Sequence, residues 1–254
     1  MWAKDRHHLI LAKLSVAERV SVDELVVDMQ VSRETIRRDI VQLEGEGRLR
    51  RVHGGAERAA VQNEPMFEDR KRVNAAAKKR IGIAAARLVQ PGMMVALDAG
   101  TSTLAFATAM AGIPDVAVIT NSVDAAHAIL AIRPDADMVL IGGRVVPEIP
   151  GTFGEMATTQ MRRHSADLAI FSPVAVSADR GATDFHMSEA DFARAMITSS
   201  KKVVALADGS KLGGVSRVEV CTCREIDTLV TDKSADAARL DPLRVAGLAD
   251  IITA

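Results

Sequence analysis

The sequence predicts an α/β protein in two parts, a small amino-terminal unit of helices ending in a basic hairpin and a larger unit built on a mainly parallel sheet with helices on both faces. Three observations predict it. Residues 4–56 hold closely spaced helical segments and a glycine-tipped extended pair; residues 57–70 carry Pro65 and no sustained apolar period; and from Met94 onward short apolar strands alternate with helical segments. The expected boundaries are therefore 1–56, a linker at 57–70, and 71–254. With 254 residues, 48% of them apolar, the chain can bury one large core, or a small domain beside a larger one.

The amino-terminal elements follow from capping and periodicity. "KDRHHLILAKLSVA" places Leu9, Ile10, Lys13 and Leu14 at helical spacing, and "SVDELVVDM" opens with Ser21 and has Glu24 three residues on, a capping box. "QVS" makes a short turn, after which Ser32 caps a helix with Ile36, Ile40 and Leu43 on its buried stripe. Gly45 and Gly47 end that helix, and "RLRRV" and "AE" around "HGG" suit a hairpin. Further on, six basic residues stand against one acid from Asp69 to Arg80. They read either as the solvated face of a helix running into "IGIAAARLV" or as a surface near DNA phosphates.

In the second part the strands are "MVALDA", "VAVIT", "DMVLIG", "LAIFSPVAV", "KVVALAD", "TLVT" and "DIITA", most of them separated by a helical interval. Pro173 within the fourth cannot donate to a ladder and predicts an edge, a bulge or a local break.

Composition excludes several functions. A net charge of −1 gives no global reason to bind a polyanion, so any such reason is local. One Trp, six Phe and no Tyr make no stacking platform for single strands. Cys221 and Cys223 read as two ordinary strand cysteines in a reducing compartment: they are too few for a disulfide framework and form only half a zinc site. No metal and no cofactor is expected. The run from Leu168 to Val176 is too short and too interrupted to span a membrane, and "MWAKDRHHLI" lacks the features of a secretory signal, so a cytoplasmic protein is expected.

The local charge is the informative one. Residues 31–55 contain six arginines. Helix, short turn, second helix is the arrangement that puts the second helix into a DNA major groove. With Ile36 and Ile40 inward, Ser32, Arg33, Thr35, Arg37 and Arg38 form the exposed first turns, where arginine can fork onto guanine and Ser or Thr can reach phosphate or base. Arg48, Arg50, Arg51 and His53, with Gly54 and Gly55 at the tip, form a wing that can clamp phosphates or enter the minor groove. The alternative is an ordinary surface helix whose arginines pair with Glu34, Asp39, Glu44 and Glu46.

The ends of the later strands are polar. Asp98 and Gly100 lead into Thr101, Ser102 and Thr103 at a helix start, where free N–H groups and hydroxyls suit either an anion or a simple cap. Asn121 and Ser122, Gly142 and Gly143, and Asp208, Ser210 and Lys211 end other strands, and such ends converge on one edge of a parallel sheet.

"VSRETIRRDIVQLEGEGRLRRVHGGA" resembles the amino-terminal winged helix-turn-helix of the DeoR family of bacterial transcriptional regulators, through its "S-x-E-T-I-R-R-D" core and its "R-x-H-G-G-A" wing. The "D-x-G-T-S-T" loop and the other strand ends resemble the sensor domain of the same family, related in fold to ribose-5-phosphate isomerase and coenzyme A transferases. The resemblance implies that Gly100, Thr101, Ser102 and Thr103 take the phosphate of a sugar phosphate, Asp98 and Asn121 its sugar hydroxyls, and Lys211 an anionic oxygen. "IFSPVAVSADRGATDFHMSEADF" departs from the family's usual "G-x-x-G-I-D" strand end. Asp179 and Glu189 within it are further effector-binding candidates; His186 with Glu189 reads as a weak metal pair or as a surface turn and helix start.

The resemblance implies a ligand-responsive repressor of a carbohydrate-catabolism operon and not an enzyme. Its partners would be double-stranded DNA, a sugar-phosphate effector and at least one further copy of the chain, with no membrane. The alternatives are an isomerase-like enzyme with a fused DNA-binding domain, using Asp98, Asp179 or Glu189 as base, and a regulator sensing an unphosphorylated sugar or sugar acid.

Overall fold

The structure is a computed structural model that describes residues 2–17, 19–45, 48–58, 66–146 and 149–254. Its amino-terminal unit runs α1 (Ala3–Val16), β1 (Arg19–Ser21), α2 (Val22–Met29), α3 (Arg33–Gly45), β2 (Leu49–Val52) and β3 (Gly55–Arg58). The capping box at α2 is formed in both directions, Glu24 N–H to Ser21 Oγ at 3.1 Å and Ser21 N–H to Glu24 Oε2 at 2.9 Å. Gln30, left-handed at φ 53°, stops α2, and Ser32 Oγ accepts Thr35 N–H at 3.1 Å to start α3. Ile10, Leu14, Leu25, Met29, Ile36, Ile40, Leu43 and Leu49 fill the core. Leu9 and Lys13, expected on the α1 stripe, are exposed; the buried stripe is His7, Ile10 and Leu14, one helical step round.

The hairpin forms as expected and gains an unforeseen strand, since β1 pairs antiparallel with β3 to give the order β1-β3-β2. Gly47, expected to help end α3, lies outside the described residues, as do 59–65 of the linker with Pro65. The rest of the linker is ordered structure at both ends. β3 extends through Arg58, and helix α4 (Phe67–Arg72) begins before residue 70, anchored by buried Phe67. Nor is the basic cluster one helix face. Asn74, at φ 54°, turns the chain between α4 and α5 (Ala75–Ala86), and its Nδ2 donates to Asp208 Oδ1 at 3.0 Å.

The carboxyl-terminal unit continues β4 (Met94–Leu97), α6 (Thr101–Met110), β5 (Ala117–Thr120), α7 (Val123–Ile132), β6 (Met138–Leu140), β7 (Arg144–Val146), β8 (Ile149–Phe153) and α8 (Glu155–Met161). It closes with β9 (Ala166–Phe171), β10 (Ala175–Ser177), β11 (Gly181–Asp184), α9 (Met187–Thr198), β12 (Ser200–Leu206), β13 (Val218–Cys221), β14 (Thr228–Thr231), α10 (Ala237–Val245) and β15 (Asp250–Thr253). Seven strands form one parallel sheet in the order β15-β14-β12-β9-β4-β5-β6. Alternate side chains of each strand face opposite layers. Val95, Leu97, Leu168, Ile170, Val204 and Leu206 meet Ile81, Phe106, Met110 and Ile129 of α5, α6 and α7. Ala96 and Ala169 meet α8 and α9 through Met161, Phe192 and Met196, while Phe171, Val203 and Ala205 share a core with Leu240 and Leu243 of α10.

"LAIFSPVAV" is not one strand. It breaks at Pro173 into β9 of the large sheet and β10 of a separate antiparallel sheet, β10-β11-β13, so of the three outcomes open for that proline the break is the one realised. Cys221 ends β13, but Cys223 sits on a short 3-10 turn, Cys223–Glu225, and not on a strand. Among the described residues no helix is long and apolar enough to cross a membrane.

Candidate DNA interface and effector site

The first turns of α3 present Ser32, Arg33, Arg37 and Arg38 to solvent, with Thr35 half-buried. Two of the predicted acids, Glu34 and Glu44, each hold an arginine, and Asp23, which was not among them, holds another. Arg33 pairs with Asp23 of α2 at 2.8 Å, Arg38 with Glu34 one turn back at 3.3 Å, and Arg51 with Glu44 at 3.7 Å. Arg37 has no ion-pair partner among the described residues. Asp39 does not face these arginines at all. It is buried, and takes Arg6 Nε and Nη2 at 2.6 and 3.0 Å and His7 Nε2 at 3.1 Å, so that its carboxylate ties α3 to α1. Glu46 lies outside the described residues. Ser32 and Thr35 are partly engaged with each other, Oγ to Oγ1 at 2.9 Å.

On the wing, Arg48, Arg50, Arg51 and His53 are exposed. Arg50 and Arg19 flank Glu57, and the Arg50 hydrogen bond chiefly holds that carboxyl below its ordinary range. Gly54, at φ 82°, makes the turn. Gly55 is buried, and a Cβ there would lie 2.0 Å from the Val20 carbonyl oxygen. Both glycines shape the wing.

At the carboxyl edge of the large sheet the main expected cluster is assembled. Asp98, Thr101, Ser102, Thr103, Asn121 and Ser122 are all buried. Asp98 Oδ1 accepts Ala99 N–H at 2.8 Å, Thr103 Oγ1 donates to the Gly100 carbonyl at 2.9 Å, and Ser122 Oγ accepts Ala125 N–H at 3.1 Å to cap α7. Asn121 Nδ2 reaches the Thr152 carbonyl at 3.2 Å. Two oxygens are left over: Ser102 Oγ and Asn121 Oδ1 are buried with no hydrogen-bond partner among the described residues. Lys211 arrives from the 3-10 turn Gly209–Lys211, its Nζ donating to Ser172 Oγ at 3.1 Å and to the Pro173 carbonyl at 2.6 Å. Ser172 in turn lies against Gly100, where a Cβ would meet its own at 3.7 Å. The proline break therefore delivers a carbonyl to Lys211.

Other predicted residues stand differently. Gly142 is exchanged between the two amide atoms of Gln160, and a Cβ on Gly143 would lie 2.7 Å from the Phe153 carbonyl, so both fit the β7–β8 hairpin onto α8. Asp179 is exposed on the turn between β10 and β11 and acts electrostatically on Cys223. His186 is exposed just ahead of α9, while Glu189, expected on the surface, is buried in the first turn of that helix. Burial pushes the Cys221 thiol up to about 12, and burial followed by Asp179 raises Cys223.

The sequence reading missed Lys78. It is buried on α5, with its Nζ on the Arg70 carbonyl, and burial lowers it to about 8, with Lys211 lowering it further, Asp208 opposing and Arg70 lowering it again. The signal was present in "AAAKKRIGIAAA". Lys78 precedes Ile81 and Gly82 by three and four residues and so shares their inward face.

A sequence model described as the DeoR-like helix-turn-helix domain matches residues 6–62, and one described as the DeoR C terminal sensor domain matches residues 73–233. The HTH-type transcriptional repressor GlcR of Bacillus subtilis (strain 168) is 33% identical over 254 residues, 100% of this chain and 97% of that protein. A putative aga operon transcriptional repressor of Escherichia coli O157:H7 is 29% identical over 251 residues, covering 98% of this chain and 93% of that one. The glycerol-3-phosphate regulon repressor of Haemophilus influenzae is 30% identical over 226 residues, 89% of this chain and 88% of its own.

Proposed function

The chain belongs to the DeoR family of transcriptional regulators, and from that premise we propose that it represses a carbohydrate-catabolism operon under the control of a phosphorylated sugar metabolite. The observation that carries the effector half is the pair of buried oxygens, Ser102 Oγ and Asn121 Oδ1, with no partner among the described residues. Buried polar atoms are almost always satisfied, and a polyol phosphate offers an acceptor for the first and a hydroxyl donor for the second. The phosphate then sits on the first turn of α6 near Lys211, with the sugar toward Asp98 and Asn121. A regulon named for glycerol 3-phosphate in one relative is consistent with such a ligand.

On DNA, α3 enters the major groove with Arg37 toward base edges, and Arg48, Arg51 and His53 meet phosphates beside it. Coupling between the two units has a physical route. Arg239 of α10 donates to the carbonyl of Gly209, in the same 3-10 turn as Lys211, and Arg239, Asp236 and Ala238 face His8, Leu11 and Ala12 of α1. A ligand that draws Lys211 inward shifts that turn and with it the seat of α1. It changes repression only as far as it binds the two arrangements with different affinity. Paired half-sites require at least two copies of the chain.

The test is a thermal-shift screen of sugars, sugar acids and their phosphate esters, followed by operator gel shifts with the hits. A ligand at 100 times its Kd stabilises by about 2.7 kcal/mol. Stabilisation by a phosphate ester and not by its parent sugar, with altered operator affinity, is the expected result; hits only among unphosphorylated compounds would overturn the phosphate assignment.

A further inference from the structure

The large sheet has two outer strands, β15 and β6, and they are finished differently. In β15 the amides of Asp250 and Ala254 bond back toward β14, so that of Ile251 points outward. It is taken by its neighbour's carboxylate, Asp250 Oδ1 at 2.9 Å, and Ile251 and Ile252 pack against the cores on the two faces. An acid that caps the ladder in this way blunts the edge. Strand β6 has no such device. Met138, Val139 and Leu140 carry no charge, proline or bulge, and among the described residues the strand pairs with β5 alone.

The ladder with β5 decides which backbone groups face outward. The Asp137 carbonyl accepts Val118 N–H at 2.9 Å and Ile141 N–H donates to the Thr120 carbonyl at 2.8 Å, so residues 137, 139 and 141 turn their backbone toward β5. Met138 and Leu140 turn theirs to the open side. The next outward group, Gly142, is already closed by the Gln160 amide, its N–H on Oε1 at 3.2 Å and its carbonyl on Nε2 at 3.3 Å. The open edge is therefore centred on Val139. That side chain is 42% exposed on the face of Ile119, and Leu140 is 47% exposed on the other face, where α7 packs on the strand and adds exposed Leu130 and Ile132. The flanks carry opposite charge. Asp135 and Asp137 precede the strand and Arg144 follows it; all three are exposed and make no ion pair among the described residues. Arg133, the cation at the acidic end, is turned inward onto the carbonyls of Ile113 and Val116. An apolar centre with one acidic and one basic end is complementary to its own reversed copy.

We propose that β6 is the seam between two copies of this chain: it pairs antiparallel with β6 of a second copy about a two-fold axis through Val139, joining the two parallel sheets into one continuous sheet. The outward N–H and carbonyl of Met138 exchange hydrogen bonds with Leu140 of the partner subunit, and those of Leu140 with Met138 of the partner subunit. Val139, whose backbone faces β5, forms the close non-hydrogen-bonded pair on the axis, its Cα about 4.5 Å from that of Val139 of the partner subunit. In this register the acidic end of each strand, Asp135 and Asp137, runs alongside the segment that leads to Arg144 of the partner subunit, and the apolar side chains on each face of the sheet meet across the axis. Paired half-sites require at least two copies without saying where they meet. The seam supplies the place, and it needs neither an effector nor DNA to form.

Mass and cross-linking, both measured on the full chain, test the seam. Sedimentation equilibrium gives the wild-type assembly. Val139→Lys, which places a charge on an exposed side chain of the open edge, should yield a particle of half that mass with an unchanged far-ultraviolet spectrum. Val139→Cys should form a reducible covalent dimer under mild oxidation with diamide, because its two copies face each other across the axis. Leu140→Cys should not, since the two copies of residue 140 are displaced in opposite directions along the strands and their Cα atoms lie more than about 7 Å apart. The native thiols of Cys221 and Cys223 are buried and do not compete. A wild-type mass for Val139→Lys, no cross-link at 139, or equal cross-linking at 139 and 140 overturns the seam and leaves the regulator reading standing, with the copies meeting elsewhere. A wild-type chain that is monomeric where it binds operator overturns both the seam and the paired half-sites. The cysteine variants are small changes at exposed positions and decide the matter even where Val139→Lys does not fold.

Discussion

Arg37 and Arg38 are adjacent in sequence and unlike in circumstance. Arg38 is paired with Glu34, whereas Arg37 reaches solvent with no ion-pair partner among the described residues. Arg37→Ala should cost about 1–3 kcal/mol of operator binding and relax specificity at one base position, while Arg38→Ala, which also frees Glu34, should act more weakly. Titration against operator variants decides it; equal losses at every sequence would make Arg37 a phosphate contact instead. At this scale the sequence was legible where function means exposure. Arginines on a helix whose apolar stripe is known can be placed outward by period alone. It was not legible where a charge is buried by partners distant in sequence. Asp39 looked like one more acid among arginines, yet its partners Arg6 and His7 lie on α1, more than thirty residues away. Lys78 looked like one of six surface cations, and only its helical phase shows otherwise.

Among elements, the wing depends on one close approach. A Cβ on Gly55 would stand 2.0 Å from the Val20 carbonyl, a distance no side-chain rotation relieves because both groups are backbone. Gly55→Ala should force β1 from β3, destabilise the small unit by about 1–3 kcal/mol and weaken operator binding, measured by thermal melts and gel shifts. Gly54→Ala, strained only by its φ of 82° with open space around it, should cost about 1 kcal/mol and leave the fold intact. The helices and the seven parallel strands could be read because each carries its own period or apolar run. β1, β7, β8 and β11 could not: they are three to five residues long, β1 and β11 being held by β3 and β13 more than thirty residues away and β7 and β8 by each other. The kink at Asn74 is likewise made from afar, by the Asp208 and Ser210 side chains that receive its amide.

Across the whole molecule, the seam between α1 and α10 joins the two functions. Burial lowers the Arg239 guanidinium from its ordinary value, Asp236 opposes, and Arg48 of the wing lowers it further, so this group feels both units at once. Arg239→Met should leave operator affinity without effector nearly unchanged and reduce the change that effector produces by about fivefold, or ~1 kcal/mol of coupling. An unaltered effector response in gel shifts would show that the signal takes another route. The two-part organisation was legible from composition and strand spacing, but the seam was not, because His8, Leu11 and Ala12 of α1 meet residues more than two hundred positions away. The two thiols have a practical consequence here. Cys221 and Cys223 are both buried and raised well away from thiolate, so maleimide reagents at neutral pH find almost nothing to modify. A single new cysteine at exposed His53 would then carry a fluorophore or spin label on an otherwise silent background, and the separation between the wing tips of an assembled regulator becomes a length that can be measured directly as ligand is added.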